Sequence, residues 1–256
     1  VSNDVLLNLD QNNQTAVVTL NRPDKRNAIS LKLIEQLDQI IDQLHRDEQT
    51  KLVIITGSSP AFCAGGDLND FHGDIGQEEA HHLLKKMQQV LWKITTLPIP
   101  TIAWMNGLAR GGGMELASAC DFRFVNEMSN YGFTQGQLAI STGWGGGTLL
   151  YERIHPQEAY YWLVTADVRS AEQLKEIGFA QGIFSSEQLE LNHPLIEPYT
   201  NRSYEQLKHW KDQWLKAQDL QRLKKRMDEE VEACSHMWVG QEHKDAVANF
   251  FKRNEK

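Results

Sequence analysis

The run Ile99–Cys120, IPTIAWMNGLARGGGMELASAC, constrains this chain more than any other stretch. It reads as a short apolar strand, a tight glycine cluster and the start of a helix. Gly111, Gly112 and Gly113 place three residues without side chains in a row, which lets another molecule approach the backbone N–H groups closely. Those N–H groups sit where a helix leaves its first donors unpaired. Glu115 follows at once, three residues after Gly112, so the two share neighbouring parts of one helix face. Donors aimed at an oxygen, with an acid or base one turn away, outline a site that stabilises an oxyanion and moves a proton. Plainer accounts compete. Glycine runs serve tight turns and close packing, and an acid in a first helical turn meets the positive end of the dipole.

The rest of the chain repeats the strand, turn and helix pattern. Val5–Leu9 and Ala16–Leu20 predict two strands joined by the polar turn Gln11–Gln14. Pro23 interrupts the ladder in the loop Asn21–Asn27. Ser30 is placed to cap a helix with Leu31, Ile34, Leu37, Ile41 and Leu44 on its apolar face. Leu52–Thr56 is a nearly uninterrupted apolar strand, the kind buried on both faces. Gly57–Pro60 breaks it, and a second glycine turn follows in Ala61–Leu68. A helix is expected over about 77–96, with Leu83, Leu84, Met87, Val90, Leu91 and Ile94 buried. His81 and His82 are adjacent and face different directions, which speaks against a metal site. Phe122–Val125 predicts a strand, Tyr131–Gln135 a loop, and Gly143–Thr148 a third glycine turn before a helix. Ser170 and Gln173 form a candidate capping box for a helix ending at Gly178. From Ser203 to Lys256 the chain turns charged and amphipathic, with Leu207, Trp210, Trp214, Leu215, Leu220, Leu223 and Met227 as apolar positions. These units predict an α/β architecture: a core over 1–195 and a helical C-terminal region over 196–256 that serves assembly or covers the site.

A net charge of -8 argues against a general nucleic-acid grip, which needs clustered Lys and Arg. No apolar run approaches the roughly 20 residues of a membrane helix, and the N-terminal residues do not read as a signal peptide. Three cysteines without metal-type spacing fit reduced thiols in a cytoplasmic protein. Cys63 lies near the second glycine turn, either as a nucleophile or as a small buried residue. There is no G-x-x-x-x-G-K-[ST], full G-x-G-x-x-G or G-x-S-x-G sequence.

The segments LNRPDKRNAIS, LVIITG, AFCAGGDL, PTIAWMNGLARGGGMELASACDFRF and GWGGGT together resemble the crotonase (enoyl-CoA hydratase/isomerase) superfamily along nearly the whole chain. The resemblance implies a spiral of ββα units with a helical C-terminal region, assembled as a homotrimer or dimer of trimers. It implies an acyl-CoA thioester as substrate, with coenzyme A as part of that substrate and no metal or redox cofactor. By motif position, the N–H groups of Gly66 and Gly112 would hold the thioester oxygen. The CoA moiety would lie along the Arg26–Ala28 loop and the turn formed by Ala64, Gly66, Asp67 and Leu68. Lys25 or Arg26 would meet its phosphates, although both are also ordinary loop cations. Trp144 would narrow the acyl pocket, or simply fill the core. Phe250, Phe251 and Lys252 lie where family members often complete a neighbour's CoA site.

Hydratases of this family hold a water between two glutamates. Glu115 matches the first. The second falls in an F-G-x-P-E segment, and the corresponding Tyr131-Gly132-Phe133-Thr134-Gln135 puts Gln135 there. Gln can hydrogen-bond a water but cannot accept its proton. The resemblance therefore leaves two enzymatic readings: a hydratase or isomerase with Glu115 as acid/base, or a decarboxylase of a short malonyl-type thioester. A decarboxylase needs no base, because departing carbon dioxide itself creates the enolate. The ACDFR and GWGGG segments are also similar to ethylmalonyl-CoA decarboxylase-type members. A non-catalytic CoA- or RNA-binding relative is the third reading, opposed by Glu115 and the acidic charge.

Overall fold

The structure is a computed structural model describing residues 3–58, 60–71, 75–185 and 189–254. Residue 59, in the expected break Gly57–Pro60, and residues 255 and 256, at the end of the expected helical section, lie outside the described residues. In chain order the strands are β1 (Val5–Asp10), β2 (Thr15–Leu20), β3 (Leu52–Gly57), β4 (Ala61–Cys63), β5 (Thr101–Met105), β6 (Leu108–Arg110), β7 (Phe122–Asn126), β8 (Asn130–Gly132), β9 (Arg169–Ser170) and β10 (Gly182–Phe184). The helices of the core are α1 (Leu31–Arg46), α2 (Leu68–Phe71), α3 (Gln77–Thr95), α4 (Gly112–Ala119), α5 (Gly146–Tyr151), α6 (Pro156–Thr165) and α7 (Ala171–Glu176). Then come α8 (Glu197–Thr200), α9 (Tyr204–Lys216), α10 (Leu220–Trp238) and α11 (Gln241–Asn254). Two 3₁₀ turns, Pro23–Lys25 and Thr134–Leu138, flank the site described below.

Local chemistry sets many of these elements. Ser30 Oγ accepts the Leu33 N–H at 3.1 Å and starts α1. The α1 face buries Leu33, Ile34, Leu37, Ile41 and Leu44, while Leu31 is only half-buried. The capping box at Ser170 and Gln173 forms as its spacing requires. β3 is buried at every residue and lies parallel between β2 and β5, which is why it carries no alternation.

The topology explains the glycine turns. The larger sheet runs β1-β2-β3-β5-β7-β10 and the smaller β4-β6-β8-β9. Each of β3/β4, β5/β6 and β7/β8 gives its first strand to the larger sheet and its second to the smaller, the ββα spiral expected. β4, β6 and β8 run parallel as neighbours, so the segments leaving them emerge at one edge, roughly 5 Å apart. Those segments are the Ala64–Gly66 turn, the Gly111–Gly113 turn and the residues leading to Gln135.

The expected loop over Tyr131–Gln135 is corrected. Asn130–Gly132 is a strand paired with β6, and Thr134–Leu138 is a 3₁₀ turn. A three-residue strand is too short to show a period, and it is the partner that makes it: Gly111 N–H donates to Gly132 O at 2.9 Å. Trp210 and Trp214, expected on an apolar face, are 49% and 42% exposed. α9 is instead held by Lys211, buried, whose Nζ reaches both Asp121 carboxylate oxygens at 2.6 and 2.7 Å. α10 packs on α3 and α5 of the same chain, burying Leu223, Met227, Val231 and Cys234. α11 packs on the 134–138 turn, where His243 Nδ1 lies 2.6 Å from Leu138 O. No described helix is long and apolar enough to cross a membrane.

Candidate active site

Gly112 is the first residue of α4, so its N–H has no intrahelical partner. Gly66 is bridged to Ile29: Ile29 N–H donates to Gly65 O at 2.8 Å and Asp67 N–H to Ile29 O at 2.9 Å. That alternation turns the intervening Gly66 N–H away from the bridge. Among the hydrogen bonds of the described residues, none is donated by the Gly66 or Gly112 N–H. The two turns abut, since a Cβ on Gly65 would stand 3.5 Å from Gly112 N. Glycine is required where they meet: Gly65 has φ +101°, and a Cβ on Gly113 would stand 2.2 Å from Cys63 O.

The loop before α1 is pinned by side chains that the sequence did not single out. Asn27 donates from Nδ2 to Ser58 O and Ala61 O, both at 2.7 Å, and its Oδ1 accepts the Arg22 N–H at 2.9 Å. Arg22 Nη1 donates to Ala28 O at 2.6 Å and pairs with Asp67 at 2.9 Å. Asp67 thus ties the Gly66 turn to the loop holding Lys25 and Arg26. The Arg and Asn of LNRPDKRNAIS were the available signal, but their partners lie tens of residues away.

Glu115 is buried, and four donors hold its carboxyl group. Oε1 accepts from Gln135 Nε2 at 2.9 Å and Gly143 N–H at 3.3 Å. Oε2 accepts from Trp144 N–H at 2.8 Å and Gly146 N–H at 3.0 Å. Burial raises the Glu115 pKa to about 8, helped by the Glu230 charge and opposed by the Trp144, Gly146 and Gly143 amides. Gln135 is in direct contact with Glu115. A separation of 2.9 Å leaves no room for a water between those two atoms. Its other amide atom, Oε1, is buried without a partner among the described residues.

One cavity of about 480 Å³ is lined by Lys25, Arg26, Ala28, Ala64, Gly66, Asp67, Leu68, Gly112, Glu115, Gln135 and Trp144. Its size suits a small-molecule site. Leu84, Arg110, Leu138, Ile140, Ser141, Cys234, Trp238, Phe250 and Phe251 are also part of the wall. Trp144 is both wall and core: it is 5% exposed, and its ring lies against Gly112, where a Cβ would stand 2.0 Å from Cζ3. Phe250 and Phe251 line this chain's own cavity. Cys63 is a buried packing residue, its thiol pushed up to about 12 by burial, so it has no thiolate to offer as a nucleophile.

Comparison with known proteins bears on the family and the fold. The model of the family described as enoyl-CoA hydratase/isomerase matches residues 10–256. The mitochondrial methylglutaconyl-CoA hydratase of Mus musculus is 33% identical over 180 residues, covering 70% of this chain and 57% of that protein. The ethylmalonyl-CoA decarboxylase of Xenopus laevis is 31% identical over 170 residues, covering 66% of this chain and 57% of that protein. The chain therefore spans a little over half the length of these curated relatives. The crystal structure of an enoyl-CoA hydratase/isomerase from Pseudoalteromonas atlantica T6c superposes with a TM-score of 0.84 at 20% identity, covering 98% of this chain and 97% of that one. That likeness concerns the fold alone. With the family model matched from residue 10 to the C-terminus, the chain belongs to the enoyl-CoA hydratase/isomerase (crotonase) family.

Proposed function

We propose that this chain processes acyl-CoA thioesters through an enolate, with Gly66 and Gly112 N–H as the oxyanion donors and Glu115 as the proton-transfer group. The observation that carries the reading is the meeting of two unspent backbone donors and one buried carboxyl group on a single cavity. Removing a proton, adding water or losing carbon dioxide next to a thioester places negative charge on its oxygen. Donors already aimed at that oxygen need no reorganisation, and each is worth about 3 kcal/mol. Lys25 and Arg26 supply positive charge at the mouth for the phosphates of coenzyme A. Trp144 limits the acyl group to a short chain.

Two reactions use this site differently. In hydration, water adds its oxygen to the β-carbon, a base takes its proton, and the α-carbon is protonated. Glu115 must then be ionised, so activity rises as pH passes about 8. In decarboxylation, the bond to the departing carboxylate breaks and its electron pair forms the enolate. Glu115 then gives a proton to the α-carbon, so activity falls as pH passes about 8. The direct Gln135–Glu115 bond favours decarboxylation, because the partner that would help take a proton from water is an amide engaged with Glu115. A decarboxylase also stands among the relatives.

Gln135→Glu separates the two. It restores a second carboxyl group, and like charges so close keep one of the pair protonated. The variant is expected to gain crotonyl-CoA hydration by about 10²-fold, in line with acid–base assistance. Rapid hydration by the wild type, or no gain in the variant, removes the argument from the missing acid. The reading includes a homotrimer or dimer of trimers. Exposed Tyr160, Tyr161 and Val164 on α6 offer apolar surface for such contacts; a monomer by sedimentation equilibrium at micromolar concentration would exclude them.

A further inference from the structure

The amides from Gly143 to Thr148 are divided between two carboxyl groups. Gly143, Trp144 and Gly146 donate to Glu115. Gly145, Gly147 and Thr148 donate to Glu230 on α10, at 3.0, 3.2 and 2.6 Å. The two carboxyl groups share one turn, so a C-terminal helix reaches the site through six consecutive amides. The turn has no slack. A Cβ on Gly145 would stand 2.6 Å from Met227 Cε, on Gly146 2.2 Å from Glu115 Cβ, and on Gly147 2.2 Å from Thr142 Oγ1. Glu230 itself is not among the residues lining the cavity.

We propose that Glu230 is a positioning residue: it fixes the 143–148 turn in the register that aims three amides at Glu115, and its charge acts on Glu115 across that turn. The proposal rests on the reading of Glu115 as the proton-transfer group. The Glu230 charge reinforces burial in keeping the Glu115 proton on, while the three amides work against it. The elements packed around the pair bring Cys63 on β4, Arg110 on β6, Tyr151 on α5, and Arg226 and Cys234 on α10. Arg226 is engaged by Glu152 at 2.6 Å. On α3, Lys85 and His81 are engaged by Asp228 and Glu232 at 2.5 and 3.4 Å. Burial keeps the Cys63 and Cys234 thiols neutral, which leaves Glu230 as the anion that opposes ionisation of Glu115.

The test is the pH dependence of kcat/KM in Glu230→Gln, measured on whichever of crotonyl-CoA and methylmalonyl-CoA the wild type turns over. Glu229→Gln is the control, on an exposed neighbour that pairs with Lys225 at 3.6 Å. Removing the Glu230 charge eases ionisation of Glu115, so the limb that depends on Glu115 is expected to move to lower pH by about one unit. The direction is the same whether Glu115 acts as acid or base, and KM stays close to its wild-type value. The limb stays in place in Glu229→Gln. An unmoved limb in a folded, active Glu230→Gln chain overturns the proposal. If that chain does not fold, Glu230→Asp keeps the charge on an arm too short to hold the turn. A kcat lowered about tenfold or more at unchanged KM then supports the proposal, and wild-type kcat overturns it. Full activity in Glu115→Gln would overturn the underlying functional reading instead.

Discussion

Glu115→Gln is expected to lower kcat on an acyl-CoA thioester by about 10²–10⁴-fold while KM changes severalfold at most. The substitution keeps shape and removes the exchangeable proton. The fold has the means to accept it. The new amide oxygen takes the place of Oε2, which receives the Trp144 and Gly146 N–H groups. The new NH₂ then faces Gln135, whose buried Oε1 has no partner among the described residues and accepts it after an amide flip. Only the longest bond, Gly143 N–H at 3.3 Å, is lost. The pH dependence of stability follows from the same group. Its folded-state pKa is raised from 4.5 to about 8, so its contribution is fully present below about 4.5 and is lost as pH rises through about 8. Urea unfolding at pH 5 and pH 8 should show that loss in the wild type and not in Glu115→Gln. Turnover within tenfold of wild type would remove Glu115 from the chemistry.

Gly112→Ala is expected to cost both activity and stability. Its Cβ would stand 2.0 and 2.3 Å from Cζ3 and Cη2 of Trp144, closer than van der Waals contact allows. Either the indole or the start of α4 must move. Trp144 is buried, and its backbone N–H is already committed to Glu115, so displacement carries to the carboxyl group as well. Overpacking of this kind destabilises by about 1–3 kcal/mol, read as a fall in Tm of roughly 2–4 °C per kcal/mol for a domain this long. Misplacing one oxyanion donor lowers kcat/KM by about 10²–10³-fold. Adding Trp144→Ala makes room for the methyl group, so the double variant should recover Tm relative to its Trp144→Ala parent's loss. A Gly112→Ala chain with wild-type Tm and kcat/KM would show that neither contact matters.

The legible parts of this molecule were those whose physics is local. Ser30 and the Ser170/Gln173 pair announce helix starts within three residues. β3 announces its burial by composition alone. The two glycine turns that meet on the cavity are legible because each precedes a helix and each ends in glycine. What stayed hidden depends on partners far along the chain. β4, β6 and β8 are three residues each and exist only because they lie beside one another. The exposure of Trp210 and Trp214 is settled by Lys211, which inserts into the core toward Asp121 in their place. Motif spacing puts Gln135 at the second acidic position, yet its direct bond to Glu115 spans 20 residues and needs the 3₁₀-turn geometry of Thr134–Leu138, which no pattern displays. Glu230 has no local signal at all, being one of several acids on a charged helix.

On the proposed reading, this cavity makes and protonates a thioester enolate. The most direct test of that reading is mass spectrometry of the products formed in D₂O from crotonyl-CoA, methylmalonyl-CoA and ethylmalonyl-CoA by the purified chain. At least one of these thioesters is expected to be turned over, its product to carry one deuterium on the carbon next to the thioester, and Glu115→Gln to abolish the incorporation. No turnover of any of the three, together with no binding of coenzyme A, would contradict the reading.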